Sequence, residues 1–264
     1  MKILPKKNLG QNFLIDENIL NIITELGNIN NVDLVLEVGP GTGNLTQKIL
    51  EKKPKSFTII EKDKKLVDFL KKKFNKKIDI INEDMLKFSY EKNLNKRIIV
   101  FGNLPYNIST QILSKWIKIK KLENFYKKFI LMFQKEVANR IIAKKNSKDY
   151  GRLSVLSNWR LDITKHFNIS KNCFRPKPKI DSTILSFKPK INNEFNIKNP
   201  KNLEMVTRTL FSNRRKMINK SFKKLFGSQN SIAKDLDLNL KLRPEELNCD
   251  MFYKIAMTYE NLLN

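Results

Sequence analysis

Apolar, β-branched runs alternate along most of the chain with stretches of helical period. Runs at residues 34–38, 56–61, 78–84, 97–100 and 129–134 each stop at a polar or glycine-bearing turn, as buried strands do. Between them lie amphipathic segments. Asp16 opens one with Ile19, Ile22, Ile23 and Leu26 on a face and Gly27 at its end, a capped helix. Others follow Gly43, cover 62–74, and start at Ser109, a candidate cap, with Ile108, Ile112, Leu113 and Trp116 on one side. Helices at 135–141 and 150–156 and strands at 163–169 and 183–187 continue the series. Strand–helix alternation of this kind predicts an α/β fold. Residues 188–202 lack periodicity and carry two prolines, which predicts a linker. Beyond it the pattern is helical: Leu203, Val206, Leu210 and Phe211 form one stripe, Ile218, Phe222 and Leu225 another, and Arg243-Pro244-Glu245-Glu246 opens a last helix to Leu263. The expected domains are 1–190, a linker at 191–202, and an all-helical 203–264.

Ligands of α/β sheets sit at the C-terminal ends of the strands, and the strand ends here carry the chemistry. Glu37-Val38-Gly39-Pro40-Gly41-Thr42-Gly43 is a glycine turn between strand and helix, where backbone approaches a ligand closely. It lacks the Gly-Lys-Ser/Thr of a nucleotide-triphosphate loop, and its third glycine comes one residue early for a dinucleotide fingerprint. Glu61, ending the next strand, suits the two hydroxyls of a ribose. Asp84, ending the third, is an acceptor for an adenine amine, with Met85 packing beside the ring. Acids at successive strand ends fit a nucleoside with a positively charged tail better than a dinucleotide.

The fourth strand runs into Asn103-Leu104-Pro105-Tyr106-Asn107-Ile108-Ser109. An exocyclic adenine amine is a poor nucleophile because its lone pair is conjugated into the ring. Two acceptors aimed at its N–H groups, the Asn103 side-chain carbonyl and the Leu104 backbone carbonyl, favour the pyramidal nitrogen whose lone pair is free. Pro105 fixes its own φ and stiffens the turn; Tyr106 offers a stacking face worth roughly 1–3 kcal/mol per base. In the loop around Phe174-Arg175-Pro176-Lys177-Pro178-Lys179, Phe174 is a candidate for the second face of the base and the cations for phosphates.

Charge narrows the partners. Against 52 Lys and Arg stand 26 Asp and Glu, a net +26 on 264 residues, which favours a polyanion without separating RNA, DNA and anionic lipid. Arg214, Arg215, Lys216, Lys220, Lys223 and Lys224 suggest a phosphate-tracking surface in the helical part. Two cysteines and one histidine, without metal-ligand spacing, support neither a disulfide framework nor a zinc site. No apolar run approaches the roughly 18–20 residues of a membrane span, and residues 1–7 lack the apolar core of a signal peptide. A reduced cytoplasm is the expected setting.

Taken in order, Gly10-Gln11-Asn12-Phe13-Leu14, the 37–43 turn, the 103–109 turn, Gln134-Lys135-Glu136-Val137-Ala138, Phe174-Arg175-Pro176 with Pro178-Lys179, Phe211 with Arg214-Arg215-Lys216, and Arg243-Pro244-Glu245 resemble the small-subunit ribosomal RNA adenine N6,N6-dimethyltransferases of the bacterial KsgA/RsmA type. The resemblance covers nearly the whole chain. It implies a Rossmann-like class I S-adenosylmethionine-dependent methyltransferase sheet with a small C-terminal all-α domain that binds RNA. It implies S-adenosylmethionine held by Asn12, Leu14, Gly39, Glu61, Asp84 and Asn103, and a flipped-out adenine between Tyr106 and Phe174, with Asn103, Leu104 and Pro105 at the transfer point. The implied substrate is a pair of adjacent adenosines near the 3′ end of 16S rRNA, in the small subunit or its precursor, met by a monomer that needs neither DNA nor membrane. Much of the acceleration then comes from holding the amine roughly 3–3.5 Å from the methyl, in line with the leaving sulfur. Two departures stand out: Asn8-Leu9 replaces a basic–aromatic pair, and Gln111 a common proline. Competing readings are the antibiotic-resistance methyltransferases that act on large-subunit RNA, and a non-catalytic ribosome-assembly factor.

Overall fold

The computed structural model describes residues 5–6, 10–89, 97–191, 193–227 and 230–263; Lys7, Asn8 and Leu9 lie outside them. Its strands are β1 (Phe13–Leu14), β2 (Leu34–Val38), β3 (Ser56–Glu61), β4 (Asp79–Asn82), β5 (Ile98–Gly102), β6 (Tyr126–Gln134), β7 (Leu161–Ile169), β8 (Phe174–Arg175) and β9 (Ser182–Pro189). Its longer helices are α1 (Glu17–Leu26), α2 (Asn44–Glu51), α3 (Lys64–Phe74), α4 (Ser109–Ile117), α5 (Leu122–Phe125), α6 (Lys135–Ile142), α7 (Arg152–Arg160), α8 (Pro200–Leu210), α9 (Asn219–Phe226), α10 (Asn230–Asp235) and α11 (Cys249–Leu263). None of the described helices is long and apolar enough to cross a membrane.

Seven strands make one sheet, ordered β4-β3-β2-β5-β6-β9-β7. Its first five strands are parallel and β9 runs antiparallel to β6. The central strands are buried on both faces, which is why they read as unbroken apolar runs. Alternate side chains separate the two faces. Val35, Phe57, Ile59, Ile99, Phe101 and Ile130 join one cluster with Leu20 and Ile23 of α1, Ile49 of α2, and Leu70 and Phe74 of α3. On β6, Tyr126 stacks on Phe129 with ring centres 4.6 Å apart, and Trp116 of α4 lies 5.0 Å from Phe129.

Asp16 caps α1, accepting from the Ile19 N–H at 3.0 Å. Ser109 does not cap α4: it is the first helical residue, and its hydroxyl turns back to the Tyr106 carbonyl at 3.2 Å. The final helix starts later than its Arg-Pro-Glu-Glu signal suggests, because Pro244–Glu246 forms a separate 3-10 turn. One pairing had no signal in the pattern: β1 and β8, two residues each, pair antiparallel with Leu14 opposite Phe174.

The chain divides into two compact units, 1–138 with 162–189, and 139–161 with 190–264. These bounds differ from the expected 1–190, 191–202 and 203–264. Residues 139–161 leave the first unit because α7 and its preceding loop pack on the C-terminal helices. The Tyr253 hydroxyl donates to the Val155 carbonyl at 2.8 Å, and Trp159 Nε1 donates to the Phe195 carbonyl at 3.2 Å. The supposed linker is part of this unit. Glu260 of α11 is buried and accepts from the Lys198 and Asn199 N–H groups at 2.8 and 2.7 Å and from Asn202 Nδ2 at 2.8 Å. Burial raises the Glu260 pKa, but those three donors outweigh it and hold the carboxyl below its usual value.

Within this unit Arg214 is not a free cation: Nε donates to Glu245 Oε2 at 2.8 Å, Nη2 to the Ser147 carbonyl at 2.8 Å, and Nη1 to the Lys148 carbonyl. Arg215, Lys216, Lys220, Lys223 and Lys224 are exposed, whereas Ile218 and Phe222 are buried.

Glu260→Ala strands three donors, two of them backbone. We expect a loss on the order of 3 kcal/mol, read from urea unfolding followed by tryptophan fluorescence at pH 7. Part of that stabilisation should be lost from the parent as pH falls through the depressed carboxyl pKa, and the variant should show no such loss.

Candidate active site

In-register parallel pairing brings distant residues to one edge. Val38 lies opposite Ile60 of β3 and Gly102 of β5, and Glu61 lies opposite Asn82 of β4. With strands roughly 5 Å apart, the residues just beyond those ends form a row: Asp84, Glu61, Gly39, Asn103. They line a cavity of about 210 Å³ together with Leu104, Pro105 and Tyr106. Gly39 has φ +69°, and a Cβ there would stand 3.2 Å from the Asn103 carbonyl oxygen, so any other residue would be strained in its backbone and tight against the turn that follows β5.

The N-terminal arm forms another wall, through Gly10, Gln11, Asn12 and Phe13. Asp63, buried at the start of α3, holds it: Lys6 Nζ and Gln11 Nε2 donate to its two oxygens at 2.8 and 3.3 Å, while the Lys65 N–H is capped at 3.1 Å. Phe13 packs over Gly41, whose missing Cβ would lie 2.6 Å from the ring. No spacing in the sequence pointed to Asp63, because its partners are brought to it only by folding.

Asn103 is oriented. Its Nδ2 donates to the Asn12 carbonyl at 3.0 Å, which fixes the amide and leaves Oδ1 as the acceptor it can offer. Pro105 accepts from the Ile108 and Ser109 N–H groups at 3.0 Å each, closing the turn. The Tyr106 hydroxyl is bonded to Ser182 Oγ at 2.6 Å, and burial raises its pKa, so the ring is held neutral at the cavity wall.

The acids differ by environment. Asp84 is held low, first by Lys62, whose Nζ lies 2.8 Å from Oδ2, and also by the Leu86 N–H at 2.9 Å on Oδ1. Burial raises Glu61, opposed by backbone N–H groups of Asp63, Gly41 and Lys62. Glu37 points elsewhere: buried beneath the glycine turn and accepting from Thr46 Oγ1 at 2.6 Å, it is pushed up to about 8 by burial.

Two expected site residues are not on the cavity. Leu14 and Phe174 lie opposite each other across the β1–β8 pair and are 5% and 2% exposed, both within the apolar cluster. Phe174 therefore presents no stacking face, since its ring is worth more to the core than to solvent. Leu14 borders a separate, smaller cavity under the turn, and its carbonyl accepts from Asn44 Nδ2 at 2.8 Å. Gln11 and Phe13, from the motif at residues 10–14, line the main cavity beside Asn12, and Lys62 lines it without having been singled out for it.

S-adenosylmethionine fits these residues. Three positive-φ glycines, Gly10, Gly39 and Gly41, give close backbone approach, Glu61 and Asp84 are acceptors, and Val38, Ile60, Leu66, Met85 and Ile112 are apolar walls for a base. A parallel sheet of this order, with an antiparallel strand inserted beside β6 and such a cavity over its strand ends, is that of the class I S-adenosylmethionine-dependent methyltransferases. Residues 4–260 match the family model described as ribosomal RNA adenine dimethylase. The chain is 49% identical over 262 residues to ribosomal RNA small subunit methyltransferase A of Pelagibacter ubique, covering 99% of each chain, and 41% identical over 262 residues to the protein of that name from a Wolbachia of Drosophila simulans, covering 98% and 94%. Among solved structures, a dimethyladenosine transferase from Plasmodium falciparum superposes with a TM-score of 0.80 at 26% identity, covering 94% of this chain and 98% of that one. The 23S rRNA methyltransferase ErmE shares the fold, with a TM-score of 0.68 at 20% identity over 94% of this chain and 99% of that one. The chain belongs to the ribosomal RNA adenine dimethylase family, and it is an enzyme that uses S-adenosylmethionine.

A raised carboxyl makes a definite signature. Folded Glu37 keeps its proton up to about pH 8 whereas an unfolded one loses it near 4.5, so its contribution falls as pH rises between those values. Glu37→Gln keeps an acceptor for Thr46 and has no proton to lose. The urea midpoint of the variant relative to the parent should climb steadily from pH 5 to pH 8; a constant difference would contradict the raised pKa.

Proposed function

We propose that this enzyme adds two methyl groups to the N6 amine of each of two adjacent adenosines near the 3′ end of 16S rRNA, within the small ribosomal subunit or its precursor. It would act as a monomer in cytoplasmic small-subunit biogenesis. The names of its relatives support the small-subunit substrate. The observation that carries the chemistry is the committed Asn103 amide: with Nδ2 tied to Asn12, Oδ1 remains as an acceptor at the point where the β2 and β5 ends meet.

In this reading Gly39 admits the methionine portion of the donor, Glu61 holds the ribose, and Asp84 accepts from the adenine amine, with Lys62 sharing that carboxylate. Asn12 and the arm close the donor cavity, and the Leu14 carbonyl braces the arm through Asn44. When bound, S-adenosylmethionine supplies a methyl group activated on a sulfonium. Asn103 Oδ1 and the Leu104 carbonyl accept from the target amine and favour its pyramidal form. Pro105 keeps their spacing, and Tyr106, anchored on Ser182, gives the target base one stacking face. Phe174 steadies the N-terminal arm through the β1–β8 pair, opposite Leu14. No strong base is required, because the amine becomes acidic on methylation. Arg215, Lys216, Lys220, Lys223 and Lys224 are the exposed cations that suit RNA phosphates, and counterion release makes such binding salt-dependent.

Incubation with labelled S-adenosylmethionine and unmethylated small subunits, followed by nucleoside analysis, should yield N6,N6-dimethyladenosine. Label confined to large-subunit RNA would overturn the substrate. Asn103→Ala should lower methyl transfer by at least about 10²-fold while RNA binding persists; full methylation by that variant would reject the role given to Asn103.

A further inference from the structure

Lys115 lies near the end of α4, half-buried, and its ammonium points away from solvent onto one turn. It donates to the Phe88 carbonyl at 2.6 Å, the Leu86 carbonyl at 2.8 Å and the Met85 carbonyl at 3.5 Å. An ammonium has three donors and no acceptor, so all three protons go to this one turn. The turn follows β4 and contributes Asp84, Met85 and Leu86 to the cavity wall.

From its other side the same turn is organised by Asp84. The Asp84 carbonyl accepts from the Lys87 and Phe88 N–H groups at 2.8 and 3.0 Å, and its Oδ1 accepts from the Leu86 N–H at 2.9 Å. Coiling of this kind turns three carbonyls toward one point, where their dipoles repel unless a cation stands there. Lys115 supplies that cation from α4, the helix that directly follows the Asn103–Tyr106 turn. Burial lowers its pKa, and Glu83 and Asp84 oppose the drop.

We propose that Lys115 is a positioning residue for base selection in the donor site: it fixes the turn that aims the Asp84 carboxylate, so that the cavity prefers a base bearing an exocyclic amine over one bearing a carbonyl. This rests on the reading that Asp84 meets the adenine of the donor. Without Lys115 the turn loses the cation that these three carbonyls share, the carboxylate loses its aim, and the amine loses its acceptor, while the glycine turn and Glu61 are untouched. The consequence is a loss of discrimination rather than a general loss of binding.

The test is calorimetric titration of the full chain with S-adenosylhomocysteine and with its hypoxanthine counterpart, in which oxygen replaces the adenine amine. The parent should prefer the adenine ligand. Lys115→Met should reduce that preference about tenfold, through weaker binding of the adenine ligand alone, and Lys115→Arg should restore part of it. If Lys115→Met does not fold, Lys115→Gln carries the same comparison. Equal weakening of both ligands, or a preserved preference in a chain where Asp84→Asn abolishes it, would overturn the role of Lys115. A preference that survives Asp84→Asn would instead remove the assignment of Asp84 to the base, and the inference with it.

Discussion

Everything at the candidate site depends on β2 and β5 ending side by side. Parallel pairing sets Val38 opposite Gly102, so the residues that follow, Gly39 and Asn103, must pass within van der Waals contact of each other. The Gly39 backbone, at positive φ and without a Cβ, is what lets the Asn103 carbonyl stand there. A side chain at that position would be strained by the positive φ and would press on the Asn103 carbonyl. The site is thus a property of strand register before it is a property of any side chain.

Around that junction the fold distributes charge unequally. Asp84 stays ionised because Lys62 and a backbone N–H meet it, and Asp63 stays ionised because Lys6, Gln11 and Lys65 outweigh its burial. Glu37, a few residues away in sequence from the glycine turn, keeps its proton because burial outweighs the single hydroxyl it receives. Three acids with similar sequence settings therefore do three things: Asp84 faces the cavity, Asp63 anchors the arm, and Glu37 serves as a neutral brace under the turn.

Cation count likewise overstates what is available to a polyanion. Arg214 sits in a run that reads as one basic patch, yet its guanidinium is absorbed by Glu245 and two carbonyls of its own unit. Lys115 is absorbed in the same manner by a turn of the first unit. Backbone carbonyls in tight turns are strong acceptors, and a folded chain can bring a cation's donors to them. The residues left exposed for phosphates are a subset that only burial and hydrogen bonding identify.

Strand–helix order, the glycine turn, the acids at the strand ends and the Asn-Leu-Pro-Tyr turn are legible along the chain, because each rests on local rules: hydrophobic period, backbone freedom and side-chain chemistry within a few residues. The sequence also carried the family, since those motifs occur in order along nearly the whole chain. Other features emerge only on folding. Phe174 looked like a stacking residue because a proline-rich loop surrounds it, but pairing with Leu14 turns it into the core. Residues 139–161 looked continuous with the sheet domain, but Val155 and Trp159 are held by Tyr253 and Phe195. Asp63 and Lys115 gave no signal at all, because the groups they satisfy lie far away in sequence and become neighbours only when the sheet aligns its strand ends.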